Sequence, residues 1–279
     1  MTKKIGFIGQ GYIGKNYADD FEERGFEVVR YATKEPYKSN GGKIKECDVV
    51  FIAVPTPTTP SGFDSSVVKS VLPIVGEGKI AVIKSTVIPG TTEKLQEENK
   101  HCMVLCSPEF LSESTAREDA RNPFSNIVGI PERSGRFEEA AALVHSILPK
   151  APFTLTCTSR EAELIKYAHN SSGYVQVVLF NLIYNLAQKI GADWKTIEKA
   201  IEADVLVCNR YSKVTHKKGR GAGGHCFIKD FAALREFYKN ELPEDKSGLA
   251  ALESFEKENI DLLKSTNKDT DLLKDVYGP

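Results

Sequence analysis

The sequence predicts an α/β protein in which a doubly wound parallel sheet is followed by an all-helical part with a long central helix. Short apolar runs of strand type alternate with helical segments over the first half of the chain, the pattern of parallel strands joined by helices. A glycine-rich turn joins the first strand to the first helix. From Ser159 the strand pattern stops, and a helical pattern continues to about Lys189. We therefore expect two domains, residues 1–157 and residues 158–279.

The first strand and the first helix flank a glycine motif. An apolar run at 4–8 leads directly into Gly9-Gln10-Gly11-Tyr12-Ile13-Gly14, and residues 15–24 then have a helical pattern. In this position the glycines allow a tight turn and a close approach of a pyrophosphate to the N-terminus of the helix. The alternative is a glycine-rich turn in another α/β fold. We predict a Rossmann-type domain that binds a dinucleotide through Gly9, Gly11, Tyr12, Ile13 and Gly14.

The second strand, residues 26–31, leaves the choice of dinucleotide open. An acid that binds the adenosine ribose is expected about 20 residues after the glycines. The chain has Tyr31-Ala32-Thr33-Lys34 there, and the nearest acid is Glu35. Arg30 or Lys34 could instead accommodate the 2′-phosphate of NADP. We expect NAD as the cofactor, with NADP not excluded.

Three further strands end in polar loops. The apolar runs 48–54, 79–84 and 103–105 are each followed by proline, serine, threonine or glutamate residues. The carboxyl ends of parallel strands line the ligand crevice of such a sheet. Taken singly, a threonine there could cap the next helix, and each glutamate could be a solvated loop acid. The expected crevice residues are Pro55, Thr56, Thr86, Glu109 and Glu113.

The remaining N-terminal segments are assigned from their local pattern. Prolines at positions 55, 57 and 60 predict a fixed loop over residues 55–60. Helices are expected at 65–72 and 135–148, with a further helix starting at Thr91 or Thr92. Additional strands are expected at 126–130 and 153–157.

The helical half begins with a run too long for an ordinary domain helix. We interpret residues 159–189 as a spine between the two domains and as the surface of a homodimer. Lys166 and Asn170 are four residues apart and therefore lie on one face of it, although most such pairs are ordinary surface residues. Further helices are expected at 193–203, 231–238 and 249–263.

The second domain carries a glycine-rich stretch with a single cysteine. Four glycines, at positions 219, 221, 223 and 224, precede Cys226, which lies beside His225 and close to Lys229-Asp230. A thiol among glycine N–H groups and basic side chains should have a lowered pKa and act as a nucleophile. The alternative is a buried cysteine beside a flexible turn.

Composition and charge argue against several classes of protein, namely nucleic-acid-binding, membrane, secreted and metal-binding proteins. The 279 residues have a net charge of −1, which gives no indication of a nucleic-acid or membrane partner. No apolar run approaches the ~18 residues of a membrane span, and the strand pattern from Lys4 leaves no room for a signal peptide. The six cysteines form no CxxC pair, which predicts reduced thiols and no metal site. We expect a cytoplasmic protein.

Six motifs together resemble the UDP-glucose/GDP-mannose dehydrogenase family. They occur in the family's order over most of the chain. The motifs are Gly9-x-Gly11-x-x-Gly14, Phe51-Ile52-Ala53-Val54-Pro55-Thr56-Pro57, Lys84-Ser85-Thr86-Val87, Ser107-Pro108-Glu109-Phe110-Leu111, Lys166-x-x-x-Asn170 and Gly223-Gly224-His225-Cys226-Phe227-x-Lys229-Asp230. The resemblance implies a four-electron oxidation of the C6 alcohol of a nucleotide sugar to the carboxylate, with two NAD used in turn.

The resemblance also implies catalytic roles. Cys226 would take the aldehyde as a thiohemiacetal, which is oxidised to a thioester and then hydrolysed. Lys166 would stabilise the oxyanion, and Asn170 would hold the reacting oxygen. Water would be ordered and activated by Asp230, Thr86 and Glu109.

Contacts with the two ligands follow from the same motifs. The expected NAD contacts outside the glycine turn are Pro55, Thr56, Thr86 and Glu113. The expected substrate contacts are Phe110, Leu111, Lys166, Asn170 and Gly223.

The chain also departs from the family pattern. Ile228 replaces the proline before the Lys-Asp pair, Leu182 replaces a glutamate, and Ser125-Asn126 stand where an arginine is usual. Family members carry a third, C-terminal α/β domain, which this sequence does not include. Two alternatives therefore stay open: a two-electron β-hydroxyacid-type dehydrogenase, and a shortened, non-catalytic relative that binds a dinucleotide.

Overall fold

The computed structural model describes residues 3–279. The strands are β1 (Lys4–Ile8), β2 (Glu27–Tyr31), β3 (Val49–Ile52), β4 (Thr58–Thr59), β5 (Gly62–Phe63), β6 (Ile80–Ile83), β7 (Met103–Cys106), β8 (Ser125–Ile130), β9 (Phe153–Thr158), β10 (Thr215–His216) and β11 (Gly219–Arg220). The helices are α1 (Tyr12–Glu23), α2 (Ser66–Val71), α3 (Thr91–Glu98), α4 (Ala116–Arg121), α5 (Gly135–Ile147), α6 (Ser159–Ile190), α7 (Trp194–Glu202), α8 (Gly224–Glu241), α9 (Lys246–Ser265) and α10 (Thr270–Tyr277). Three 3₁₀ segments cover Lys38–Glu46, Leu72–Ile74 and Asn209–Tyr211. Within residues 3–279, no helix is both long and apolar enough to cross a bilayer.

The chain divides into two compact units. The first comprises Met1–Thr56 and Asp64–Lys166, and the second comprises Pro57–Phe63 and Tyr167–Pro279. The 32-residue helix α6 passes from the first unit to the second.

A seven-stranded sheet forms the centre of the first unit. Its strand order is β2-β1-β3-β6-β7-β8-β9. All neighbouring strands pair in parallel except β7 and β8, which are antiparallel. The predicted α/β class is therefore confirmed, but the sheet is mixed rather than wholly parallel. Strands β3 and β6 are buried along their whole length, as expected for a sheet with both faces covered.

The register of the parallel strands brings four strand ends to one edge. Ile8 pairs with Ile52, Ile52 with Ile83, and Ile83 with Cys106. The backbone N–H groups of Ala53, Lys84 and Ser107 continue this ladder by one more bond each, with donor–acceptor distances of 2.8 Å. The loops after β1, β3, β6 and β7 consequently start side by side.

In the second unit, the segment between Pro57 and Pro60 corrects one prediction. The predicted fixed loop contains a short strand, because Thr58 and Thr59 form β4 and pair with β5 as an antiparallel hairpin. The prolines stand outside the paired positions, so no ladder hydrogen bond is lost. Gly62 has a φ of 103°, which glycine adopts readily.

Helix α8 corrects a second prediction. It begins at Gly224 rather than at Phe231, so Cys226 lies in the first turn of a helix and not in a loop. Ile228, Phe231 and Ala232 are buried at helical spacing, and this apolar face extends the helix back to the glycines. Helices α4 and α10 and the hairpin β10–β11 have no counterpart in the sequence-based prediction.

Glu163, in the first half of α6, binds the N-terminus of α3. Its carboxylate accepts hydrogen bonds from the backbone N–H groups of Gly90 (2.6 Å) and Thr92 (2.9 Å). Burial raises the pKa of this carboxyl group to about 7, although the two N–H donors act in the opposite direction. The bonds fix the start of α3, and with it the loop that carries Thr86.

The raised pKa of Glu163 predicts a pH-dependent stability. Because the folded pKa (about 7) lies above the ordinary value of 4.5, this group stabilises the fold fully below pH 4.5. The contribution, at most about 3 kcal/mol, is lost as the pH rises through 7. Glu163→Gln should remove it, so the difference in Tm between wild type and variant should change steadily from pH 5 to pH 8.

Glu161→Gln provides the control for this measurement. Glu161 is exposed, and a hydrogen bond from the Thr158 backbone N–H lowers the pKa of its carboxyl group, so it is ionised throughout that range. Parallel pH profiles for wild type and Glu163→Gln would contradict the assignment.

Candidate active site

The turn after β1 has the geometry of a pyrophosphate cradle. Gly9 has a φ of 91°, and a Cβ on it would lie 2.1 Å from the carbonyl oxygen of Ala53. A Cβ on Gly14 would lie 2.0 Å from the carbonyl oxygen of Gly9. By contrast, a Cβ on Gly11 would meet no atom of residues 3–279 within 4 Å. The open side of the turn therefore lies at Gly11, the N-cap of α1, where the helix dipole favours an anion.

The other residues predicted to contact the dinucleotide surround this edge of the sheet. Tyr12 and Ile13 are half-buried at the start of α1. The hydroxyl of Thr56 donates a hydrogen bond of 2.7 Å to the backbone carbonyl of Thr86, which links the loops after β3 and β6. Pro55 is exposed beside them, and Glu113 is exposed in the loop after β7.

Glu109 and Lys166 form a buried ion pair in the first unit. The Lys166 ammonium donates to the backbone carbonyl of Glu109 at 2.5 Å and to its Oε1 at 3.1 Å. The two side chains are 3% and 5% exposed, so both charges are removed from water and depend on each other. The other carboxylate oxygen, Oε2, accepts the Leu111 backbone N–H at 2.8 Å. The structure thus joins two of the predicted catalytic residues.

The predicted substrate contacts Phe110 and Leu111 line a cavity of about 180 Å³ in the same unit. Lys84 also lines it, with its ammonium 3.1 Å from the hydroxyl of Ser107 and 4.5 Å from the centre of the Tyr17 ring. Burial lowers the pKa of Lys84 to about 8. Lys84 directly follows β6, and the sequence gives no local indication that a lysine there is buried, so it was predicted only as part of a family motif.

In the second unit, Asp230 is the centre of a polar cluster. It is 1% exposed, and its Oδ2 accepts a 2.6 Å hydrogen bond from the Asn170 side chain. Its Oδ1 accepts a 2.5 Å hydrogen bond from the Lys229 ammonium. Cys226 is exposed on the same helix, four residues earlier, and thus on the same face as Asp230.

Hydrogen bonds to the backbone hold the glycine-rich stretch in place. Asn259 receives the Ala222 N–H at 2.6 Å and donates back to the Ala222 carbonyl at 2.9 Å. Lys268 donates to the Gly221 carbonyl at 2.8 Å, and Asp269 accepts the Gly224 N–H at 2.7 Å. These three residues were missed, because they lie in α9 and just after it and carry no motif.

Gly223, a predicted substrate contact, is packed too closely against its neighbours to carry a side chain. It is half-buried as the N-cap of α8, and a Cβ there would lie 2.1 Å from an oxygen of Asp269. The stretch is therefore a fixed support for Cys226 rather than a flexible loop.

Comparison with known proteins shows the family to which the chain belongs. The model of the UDP-glucose/GDP-mannose dehydrogenase family, NAD binding domain, matches residues 36–147, and that of the family's central domain matches residues 160–259. The chain belongs to this family. Its predicted cofactor, NAD, is confirmed by the NAD-binding domain, and the cradle at Gly11 fits the pyrophosphate of that dinucleotide.

Individual relatives agree with the family assignment. A UDP-glucose 6-dehydrogenase of Rickettsia bellii is 31% identical over 88% of this chain and 56% of its own length. The chain thus spans about half the length of the curated relatives that it matches. A UDP-glucose dehydrogenase of Pyrobaculum islandicum is similar in structure, with a TM-score of 0.77 and 26% identity over 92% of this chain and 68% of that one.

A smaller enzyme shares the fold. The 3-hydroxyisobutyrate dehydrogenase of Mycobacterium tuberculosis has a TM-score of 0.68 at 15% identity, covering 94% of this chain and 95% of that one. At this identity the likeness shows the fold alone.

Gly11→Ala should weaken NAD binding without loss of stability. The added methyl group would meet no atom of the part of the chain that the structure describes, but it would occupy the space where the pyrophosphate approaches the backbone. We expect the Kd for NAD, measured by titration calorimetry, to rise at least about tenfold with Tm unchanged. Gly135→Ala, at an equally open position in α5, is the control. Equal NAD affinity in wild type and Gly11→Ala would contradict the site.

Proposed function

We propose that this chain oxidises the C6 alcohol of a nucleotide sugar to the carboxylate, with NAD as the oxidant in two successive steps. The observation that supports this most strongly is the position of Cys226, in the first turn of α8 and four residues before the buried Asp230. A two-electron oxidation of an alcohol has no use for such a thiol. UDP-glucose is the first substrate to test, because the relatives named above are UDP-glucose dehydrogenases.

In the first step the alcohol loses a proton and a hydride and becomes an aldehyde. NAD, when bound, would supply the hydride acceptor for each of the two oxidations. The ammonium of Lys166 stabilises negative charge on the substrate oxygen, and the amide of Asn170 donates a hydrogen bond to it. Glu109 holds the Lys166 side chain through the bonds described above.

In the second step the Cys226 thiolate adds to the aldehyde carbon and forms a C–S bond, and the aldehyde oxygen takes up a proton. The thiohemiacetal then loses that hydroxyl proton to solvent and a hydride from the same carbon, and becomes a thioester. An aldehyde cannot give up hydride toward an acid until a nucleophile has added to its carbonyl. The first turn of a helix favours negative charge on the sulfur.

Hydrolysis completes the reaction. Water adds to the thioester carbonyl, the C–S bond breaks, and the sugar leaves as the carboxylate while the thiolate is restored. Asp230, Thr86 and Glu109 are assigned to ordering and activating this water. Asp230 is supported in this role by its two fixed hydrogen-bond partners, which keep both oxygens in place.

The number of NADH formed per sugar consumed separates the possible reactions. We expect two NADH per molecule of UDP-glucose. One NADH per substrate would indicate the β-hydroxyacid-type oxidation instead. No turnover of any nucleotide sugar, with NAD still bound, would indicate a dinucleotide-binding protein without catalysis.

Cys226→Ala should reduce acid formation by at least ~10²-fold, because no thioester can form. Reduction of a supplied aldehyde should persist, since that step does not need the thiol. Cys208→Ala is the matched control, as Cys208 is also an exposed cysteine of the second unit. Full turnover to the acid in Cys226→Ala would exclude covalent catalysis.

Cys226→Ser tests the same intermediate directly. A serine alkoxide is much harder to generate than a thiolate, and an ester hydrolyses more slowly than a thioester. We therefore expect an acyl adduct on residue 226 that accumulates during turnover and is detected by mass spectrometry of the intact chain.

We also propose that two copies associate through α6. Apolar side chains that are 37–68% exposed recur on one face of its second half at intervals of three and four residues. They are Leu179, Leu182, Ile183, Leu186 and Ile190. A stripe of this kind on a helix indicates an interface between proteins.

Leu186→Glu should reduce the mass measured by light scattering from that of a dimer to that of a monomer, because it introduces a charge at the centre of the stripe. Gln188→Glu adds the same charge on the opposite side of the helix and should leave the dimer intact. A monomeric wild type would rule out this interface.

A further inference from the structure

Arg30 lies beside the position from which Rossmann-type domains recognise the adenosine ribose, one residue before the end of β2. It follows Gly9 by 21 residues and belongs to β2, the strand next to β1. The backbone N–H of Gly9 donates to the carbonyl of Tyr31 at 2.9 Å, so the end of β2 lies against the glycine turn. An acid at this place binds the ribose hydroxyls of NAD, whereas an arginine binds the 2′-phosphate of NADP.

The guanidinium of Arg30 is already bound by two carboxylates of α1. Its Nε and Nη2 donate to the two oxygens of Glu22 at 2.9 and 2.7 Å, and Nη2 also lies 2.7 Å from Asp19. A further contact of 3.4 Å joins Nη1 to the side chain of Gln10, inside the glycine turn. Bidentate pairs of this kind are strong and geometrically specific.

Asp19 and Glu22 also balance the positive charges of Lys15 and Arg30, and we call these four residues the Arg30 cluster. The opposite oxygen of Asp19 binds the Lys15 ammonium at 2.7 Å, so two cations face two anions. Partial burial would raise the pKa of Asp19, but its bonds to Lys15 and Arg30 outweigh burial and keep that pKa below its usual range. The Arg30 side chain is only 9% exposed, whereas Asp19 and Glu22 are 28% and 47% exposed, so a ligand can reach both carboxylates from solvent.

Space for a ribose exists beside the cluster. An open cavity of about 400 Å³ is lined by Lys15, Asp19, Glu22 and Arg30 on one side, and by Tyr37 and Asn40 on the other. Asn40 donates to the backbone carbonyl of Arg30 at 3.0 Å, which fixes this wall. A ligand in the cavity would therefore meet both carboxylates as well as the guanidinium.

We infer that Asp19 and Glu22 make this chain select NAD over NADP, by binding Arg30 and by supplying the acidic oxygens that the carboxyl end of β2 lacks. A 2′-phosphate would enter next to two carboxylates, and the two cations that line the cavity, Lys15 and Arg30, are already paired with them. To bind Arg30 it would have to displace Glu22 and leave that carboxylate without its partner. The ribose hydroxyls of NAD can instead donate to the same oxygens.

The test is binding of NAD and NADP, measured separately by titration calorimetry. Wild type should bind NAD at least about tenfold more tightly than NADP, the effect of roughly one charge-assisted hydrogen bond. Asp19→Asn/Glu22→Gln should bind NADP more tightly than wild type and lose this preference. Adding Arg30→Ala to that double variant should remove the gain in NADP affinity, because the freed guanidinium is its cause.

Glu23→Gln is the matched control. Glu23 is the next residue of α1 and pairs with Arg117 and Arg121 instead, so the same loss of charge should leave the NAD/NADP ratio unchanged. Tm of each variant reports folding, and Asp19→Asn alone gives a milder version of the change. The measurement needs no sugar substrate and is independent of the proposed oxidation. Equal affinity of wild type for both dinucleotides, no dinucleotide binding by wild type, or an unchanged ratio in the double variant would overturn the inference.

Discussion

The aligned carboxyl ends of the central parallel strands are the constraint on which the first unit depends. Ile8, Ile52, Ile83 and Cys106 stand in register, so the residues that follow them start from one line. The glycine turn, Thr56, Thr86 and Glu109 then need only short loops to reach a common edge. Buried apolar strands are specified by packing alone, which leaves the loop residues available for chemistry.

Each unit contains a buried carboxylate that must be paired with another polar side chain. Glu109 is bound to Lys166, and Asp230 to Lys229 and Asn170. A buried charge that loses its partner is costly, usually by several kcal/mol. Each carboxylate therefore fixes the position of a cationic or amide side chain, and the groups assigned to catalysis support one another sterically as well as electrostatically.

Much of the fold follows from local sequence, and the rest depends on distant contacts. The alternation of strands and helices, the glycine turn and the 32-residue α6 have strong local patterns. The start of α8 was misplaced, since four glycines predict a turn, whereas Ile228 and Phe231 extend the helix through contacts made elsewhere. The ion pairs of Arg30 with Asp19 and Glu22 could not be predicted from the sequence either. Arg30 lies in β2 and the two acids lie in α1, and only the folded structure brings them together.

The anchoring of the glycine-rich stretch has an energetic consequence for ligand binding. Glycine loses more backbone freedom on ordering than any other residue. Here the bonds from Asn259, Lys268 and Asp269 order the stretch when the chain folds. A ligand that approaches Cys226 consequently finds a preorganised backbone, and little of its binding free energy is consumed in immobilising it. Tight positioning of the thiol is thus a property of the folded chain before any substrate arrives.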